Sequence, residues 1–306
     1  MPSFVVAILA AAGTTDRDRV TDLLQALAAH EPAARDVLVV DDEGGRDPAP
    51  RTWPAPAGLT VHVVPNPRRG RGIPTLGATT AGTLAALAWC AAHRPGAWVL
   101  RLDADALVIG PFATRIEDAL QPADGLLGSC HRTCNGDVRD VRAIGAEVAR
   151  HRRPVWAWRR PPRRPWWVRP ADPRIRGVLD AAAARGYVPG EHCIAAGCVV
   201  SAPLIATLEA RGWLADPSRW LQARLGDDMV LGAMTRACGF GLRDLPAVFG
   251  LSHRGLPDRP PALKARGFAI IHSVKNDPVA PEEEIRAFFA AARGDVAARH
   301  DVEPVR

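Results

Sequence analysis

Residues 97–111 read AWVLRLDADALVIGP, and the rest of the chain is organised around them. Apolar residues dominate on both sides of Asp103-Ala104-Asp105, the pattern of a short buried strand that ends in two carboxylates. Residues i and i+2 of a strand point the same way, so the spacing predicts that Asp103 and Asp105 present their oxygens on one side. Two like charges placed there are costly unless a cation or a donor network compensates them. Mg²⁺ commonly sits on one or two carboxylates together with substrate phosphates. A loop-forming aspartate pair that caps the following helix accounts for the same letters, and this stretch alone leaves both readings open.

With 306 residues, 47% of them hydrophobic and 24% charged, the chain has an ordinary globular composition and can bury one large α/β domain or two small ones. No apolar run approaches the ~18 residues that span a bilayer; the nearest, 85–92, is far shorter. The run 4–12 has no basic region before it and leads into Gly13-Thr14-Thr15-Asp16. A first strand is therefore expected there in place of a signal-peptide core, and with it a cytoplasmic location. The six cysteines (Cys90, Cys130, Cys134, Cys193, Cys198, Cys238) are sparse, and none forms a C-x-x-C. Neither a secreted disulfide scaffold nor a structural zinc site fits such spacing, so small buried hydrophobes are expected.

Outward from the aspartates, residues 4–11 form an apolar run suited to a central parallel strand. A helix follows at 17–30, with Val20, Leu23, Leu24 and Leu27 on one face. A second strand, 36–40, ends in Asp41-Asp42-Glu43, and a third spans 59–64. Strand, helix and strand thus recur as in an open doubly wound sheet, whose ligands bind at the carboxyl ends of the strands. Asp41, Asp42, Asp103 and Asp105 all fall at such ends. Residues 66–72, NPRRGRG, make a basic loop whose arginines suit a diphosphate, and a helix is expected at 79–93. A solvated basic loop is the plainer reading of the same residues.

A short helix at 113–120 and a small strand at 125–129 precede a break in composition. Residues 150–176 hold ten arginines against one aspartate, with Trp156, Trp158, Trp166 and Trp167 among six prolines. The chain's formal charge of +6 therefore belongs to this insertion, and the remainder is slightly acidic. Arginine interleaved with tryptophan suits a lid over an anionic or aromatic acceptor, a single-stranded nucleic acid or a peripheral membrane contact. An exposed proline-rich loop packed on the domain is the alternative.

Beyond it, a helix is expected at 175–185, an apolar run at 193–200 and a helix at 204–211 capped by Ser201. Asp227 and Asp228 open a helix that runs to Cys238. Acids there complement the helix dipole, and one facing the strand ends is also placed to act as a general base. A strand at 268–271 leads into His272, with Lys275 three positions on, and an amphipathic helix begins near 281.

Taken in order, these features resemble the GT-A glycosyltransferases, of a family-2-like or Fringe-like kind. The resemblance rests on the first strand and loop (4–14), Asp41-Asp42, the D-x-D at Asp103-Ala104-Asp105, the AGCVVS run 196–201, Asp227-Asp228 and His272. It implies an open, mostly parallel sheet with helices on both faces, a Rossmann-like three-layer sandwich over residues 1–280, followed by a C-terminal helix and tail at 281–306. It further implies a metal-dependent transfer of a hexosyl or related sugar from a nucleotide-diphosphate sugar, UDP-linked by preference, to an acceptor hydroxyl. On this resemblance Ala11, Ala12, Gly13, Asp41 and Asp42 hold the nucleoside, and Arg69, Arg71 and Lys275 assist the diphosphate. Asp103 contacts ribose or the metal shell, and Asp105 and His272 ligate Mn²⁺ or Mg²⁺, the nitrogen favouring manganese. Asp228, or Asp227, is the base if the reaction inverts. Gly197, Trp166 and Trp167 are expected near an acceptor that the sequence does not identify.

Two other readings stay open at this level. A nucleotidyltransferase uses carboxylates and Mg²⁺ on a similar sheet, but the AAGTTDR loop 11–17 only loosely matches its glycine-rich turn. A non-catalytic anion or nucleic-acid binder would rest on the arginine and tryptophan insertion and would show steep salt dependence. No nucleic-acid partner is expected on the transferase reading.

Overall fold

The computed structural model describes residues 3–43, 52–71, 75–152, 172–252, 255–275 and 277–300, with backbone alone at 75 and 294–300. Most of the basic insertion, including Trp166 and Trp167, lies outside the described residues.

Strands β1 (Phe4–Ala10), β2 (Asp36–Asp41), β3 (Thr60–Pro65) and β4 (Trp98–Asp103) form a parallel half-sheet in the order β3-β2-β1-β4. The chain then adds the two-residue β5 (Leu107–Val108), β6 (Asp124–Gly128), β7 (Gly197–Val200) and β8 (Gly241–Asp244). β7 runs antiparallel between β4 and β6, and β8 pairs parallel on the far side of β6. The result is an open seven-stranded mixed sheet, β3-β2-β1-β4-β7-β6-β8.

Its central strands are largely apolar because both faces are covered, Arg101 of β4 being the buried charge among them. On β1, Val5 and Ala7 join Leu38 and Val40 of β2 under Leu84 and Leu87 of helix α2 (Thr75–His93). The alternate residues Phe4, Val6 and Ile8 meet Leu23, Leu24 and Leu27 of α1 (Thr14–His30) on the opposite face. Helix α3 (Ala113–Ala119) shares the α1 face, through Ile116. Helix α4 (Arg142–His151) precedes the insertion, and α5 (Pro173–Ala183), α6 (Ala202–Ala210) and α7 (Asp227–Cys238) cover the α2 face. Helix, sheet and helix make the expected three layers.

A second, three-stranded sheet pairs β5 with β10 (Ile270–His272) and β10 with β9 (Phe249–Leu251). It packs with α8 (Pro260–Ala265) and α9 (Glu282–His300) in a third cluster that holds Leu107, Leu263, Ile271, Val274, Ile285 and Phe289. Helix α9 is also clamped to α1 by Arg19 with Glu282, and by Arg286 and Arg293 with Asp22. Among the described residues, no helix is long and apolar enough to cross a membrane.

One expectation is corrected. Cys130 and Cys193, expected as separate buried thiols, form a disulfide across 63 residues of sequence. The fold brings the end of β6 beside the segment that feeds β7, a neighbourhood that spacing along the chain does not reveal. The other four cysteines are free, and Cys90, Cys134 and Cys198 are buried.

Candidate active site

β4 stops at Asp103, and the chain turns immediately, the Ala106 amide donating to the Asp103 carbonyl at 3.1 Å. Asp105 therefore lies in the turn and not in the strand. The residue sharing Asp103's side of β4 by alternation is Arg101. Asp105 reaches Asp103 by another route: β5 follows the turn and pairs antiparallel with β10, Ile271 opposite Leu107, which sets His272 beside the turn. One nitrogen of His272 and one oxygen each of Asp103 and Asp105 all lie within 4.8 Å of one another. His272 Nε2 is 3.2 Å from Asp105 Oδ2 and 3.9 Å from Asp103 Oδ2.

The surrounding bonds orient this triad. His272 Nδ1 donates to the Ser252 carbonyl at 3.2 Å, which leaves Nε2 as the ring nitrogen turned toward the two carboxylates. That is the arrangement of a metal-ligating imidazole. Ser273 donates its hydroxyl to Asp105 Oδ2 at 2.9 Å, and Lys275 Nζ is 3.3 Å from the same oxygen. Burial pushes the Asp105 carboxyl up, but His272, Lys275 and Ser273 outweigh it and hold the group far below the usual carboxylate range. Two carboxylates and an imidazole nitrogen form a nitrogen–oxygen donor set that fits a divalent cation.

The triad opens onto a cleft of about 240 Å³ whose walls include Ala11, Asp16, Asp42, Asn66, Arg68, Thr79 and Lys275 as well as Asp103 and Asp105. They come from the carboxyl ends of β1, β2 and β4, from the loop after β3, from the first turns of α1 and α2, and from the segment after β10. Asp16 accepts the Ala11 amide at 2.9 Å, which fixes the first loop against α1. Ala12 and Gly13 are exposed in the same turn, where Gly13 takes φ +122°, a value suited to glycine. Asp41 is buried at the end of β2, its Oδ1 accepting the Glu43 amide at 3.0 Å.

The basic loop divides differently from the sequence expectation. Arg68 is the arginine on the cleft wall, clamped to buried Asp42 through Nε at 3.1 Å and through Nη2. Asn66 steadies it, accepting the Arg68 amide at 2.9 Å. Arg71 instead spends its guanidinium on the carbonyls of Arg68 and Pro67, each at 2.9 Å. Arg69 sits at the bend with φ +50°. Neither lines the cleft. The missed signal lay in position: Arg68 directly follows the Asn66-Pro67 just after β3, whereas Arg69 and Arg71 straddle the glycine where the loop turns away.

The adjacent acids of α7 have separate surroundings. Asp227 is 8% exposed, and its Oδ2 accepts 2.8 Å bonds from Thr83 of α2 and from Arg101. Asp228, the second residue of α7, is partly exposed, and its Oδ1 accepts the Met229 amide at 2.8 Å. Its Oδ2 lies 3.6 Å from Nε2 of fully buried His192. His192 bonds the Gly190 carbonyl through Nδ1 at 2.6 Å and faces Arg139 through Nε2 at 2.7 Å. Burial and the neighbouring Asp227 charge push the Asp228 carboxyl up to about 6. Gly197 faces away from this cluster: a Cβ there would stand 3.3–3.4 Å from Leu251, Ile270 and Phe249 in the second sheet.

No protein-family model matches the sequence, and no curated protein is significantly similar to it. Comparison of structures aligns the chain with the bifunctional glycosyltransferase WbbM at 12% identity and TM-score 0.47, covering 94% of this chain and 51% of that one. The chain thus spans about half the length of WbbM. It also aligns with the galactosyltransferase LgtC, in complex with donor and acceptor sugar analogues, at 14% identity and TM-score 0.48, over 95% of this chain and 96% of that one. An active-site mutant of LgtC aligns at 13% identity and TM-score 0.47.

Proposed function

We propose that this chain is a metal-dependent glycosyltransferase of GT-A type that moves a sugar from a nucleotide-diphosphate sugar, UDP-linked by preference, to an acceptor hydroxyl. The observation carrying the proposal is the convergence of Asp103, Asp105 and His272 at the strand ends, opening onto a cleft that also presents Lys275 and Arg68. A divalent cation bound there, Mn²⁺ or Mg²⁺, supplies Lewis-acid stabilisation of the charge that grows on a departing diphosphate.

The chain's own residues then divide the work. Ala11, Asp42 and Asn66 shape the part of the cleft that takes the nucleoside. Lys275, held by Asp105, sets a positive charge beside the diphosphate. The anomeric carbon–oxygen bond breaks and the acceptor oxygen takes its place. In an inverting transfer the acceptor's proton passes to Asp228, whose pKa of about 6 suits a base working near neutral pH. Asp227 cannot serve as readily, since Arg101 and Thr83 already occupy Oδ2.

Incubation with UDP-, GDP- and dTDP-sugars, with and without Mn²⁺, tests the reading through release of the nucleoside diphosphate. One base class should turn over, and only with metal. Asp105→Ala should abolish that turnover with the circular-dichroism spectrum unchanged. Pyrophosphate release from a nucleoside triphosphate and a sugar phosphate would instead mark a nucleotidyltransferase.

A further inference from the structure

Arg101 lies in the middle of β4 between Leu100 and Leu102, both fully buried, and is itself only 2% exposed. An arginine there is costly. Replacing buried ion pairs by well-packed apolar residues is often neutral or stabilising, and among the described residues Arg101 Nε has no hydrogen-bond partner. Stability alone therefore does not account for this residue. Its contacts point to what does. Nη1 donates to Asp103 Oδ1 at 2.6 Å and to the Ala195 carbonyl at 2.5 Å, and Nη2 donates to Asp227 Oδ2 at 2.8 Å.

The two oxygens of Asp103 are thus distinguished. Oδ1 is taken by the guanidinium, and Oδ2 is the oxygen that faces His272 Nε2. We propose that Arg101 is a positioning residue for the cation site: it fixes the Asp103 carboxylate so that Oδ2 is presented to the metal, and it is itself anchored by Asp227 and the Ala195 carbonyl. The inference rests on the metal-dependent reading above. It adds that α7 and the segment before β7 set the metal affinity through one buried side chain. Lysine cannot substitute, because a single ammonium lacks the planar fork that reaches both carboxylates.

The test is Mn²⁺ binding to the full chain, alone and with UDP, followed by loss of the free-ion paramagnetic resonance signal. Urea unfolding is run in parallel. Arg101→Met with Asp227→Asn removes both buried charges together and leaves neither unpaired. This double variant is expected to unfold cooperatively and to bind Mn²⁺ roughly 10- to 100-fold more weakly, the usual effect of losing a partner that orients a ligand. Arg101→Lys should likewise weaken binding by about tenfold or more. Wild-type affinity in a folded double variant, or in Arg101→Lys should the double variant not fold, overturns the assignment while leaving the transferase reading intact. Failure of the parent chain to bind Mn²⁺ under either condition overturns both.

Discussion

At the scale of single residues, the site turns on how differently neighbouring side chains of the same type are used. Asp227 and Asp228 are adjacent, yet one is a counter-ion to Arg101 and the other a carboxyl pushed up to about 6 by burial and by its neighbour's charge. The sign of the consequence follows. A folded-state pKa above the ordinary 3.8 means that the fold binds the Asp228 proton more tightly than the unfolded chain does. Its contribution to stability is therefore full below about pH 4 and lost as pH rises through about 6. Asp228→Asn should remove this dependence, matching the parent at pH 4 and exceeding it at pH 8 by about 1–3 kcal/mol in urea unfolding. Transfer activity of the parent should decline as pH falls through about 6, and the Asn variant should be inactive at every pH. Equal stability of parent and variant across that range would remove the physical basis for Asp228 as base.

Among the elements, α2 matters most for the cleft, since Ala78 and Thr79 stand on its wall and Thr83 bonds Asp227. Its first turn packs directly on the chain after a 3-10 turn at Pro217–Trp220. A Cβ on Gly77 would stand 2.0 Å from the Leu221 carbonyl oxygen, closer than any packing allows, and the obstacle is backbone. Gly77→Ala must therefore shift the helix. The expected cost is about 1–3 kcal/mol of stability, with a higher KM for the donor and little change in kcat. Steady-state kinetics beside urea unfolding would check both. Helical periodicity placed the start of α2 near residue 79; the helix begins at Thr75. The extra turn carries no amphipathic signal of its own and is held by this contact.

For the whole molecule, the second sheet is the part on which the metal triad depends. β10 delivers His272, and the cluster beneath it joins Ile271 and Val274 to Ile285 and Phe289 of α9. Helix α9 is thus built into the same body as the site. Phe289, 2% exposed, should cost about 3–5 kcal/mol when replaced by Ala. Because the lost packing lies under β10, Mn²⁺ affinity should fall along with the melting temperature. A variant that melts earlier but keeps full metal affinity would show that α9 supports the fold without supporting the site.

Much of the sheet and all three members of the triad were legible without a structure. The apolar runs of β1, β2 and β4 announce strands buried on both faces, and the acids that close them announce a polar strand end, because both are local consequences of burial. His272 was readable as a histidine ending an apolar run. The resemblance to GT-A enzymes already joined Asp105 and His272 as ligands of one metal, whereas tertiary structure alone decided the pairings of Cys130 with Cys193, Arg68 with Asp42 and Arg101 with two carboxylates at once. Each joins groups far apart along the chain, or picks one among several like residues nearby. Local sequence carries burial and periodicity. Which charge meets which depends on the register of a second sheet and the seating of helices that no local pattern encodes.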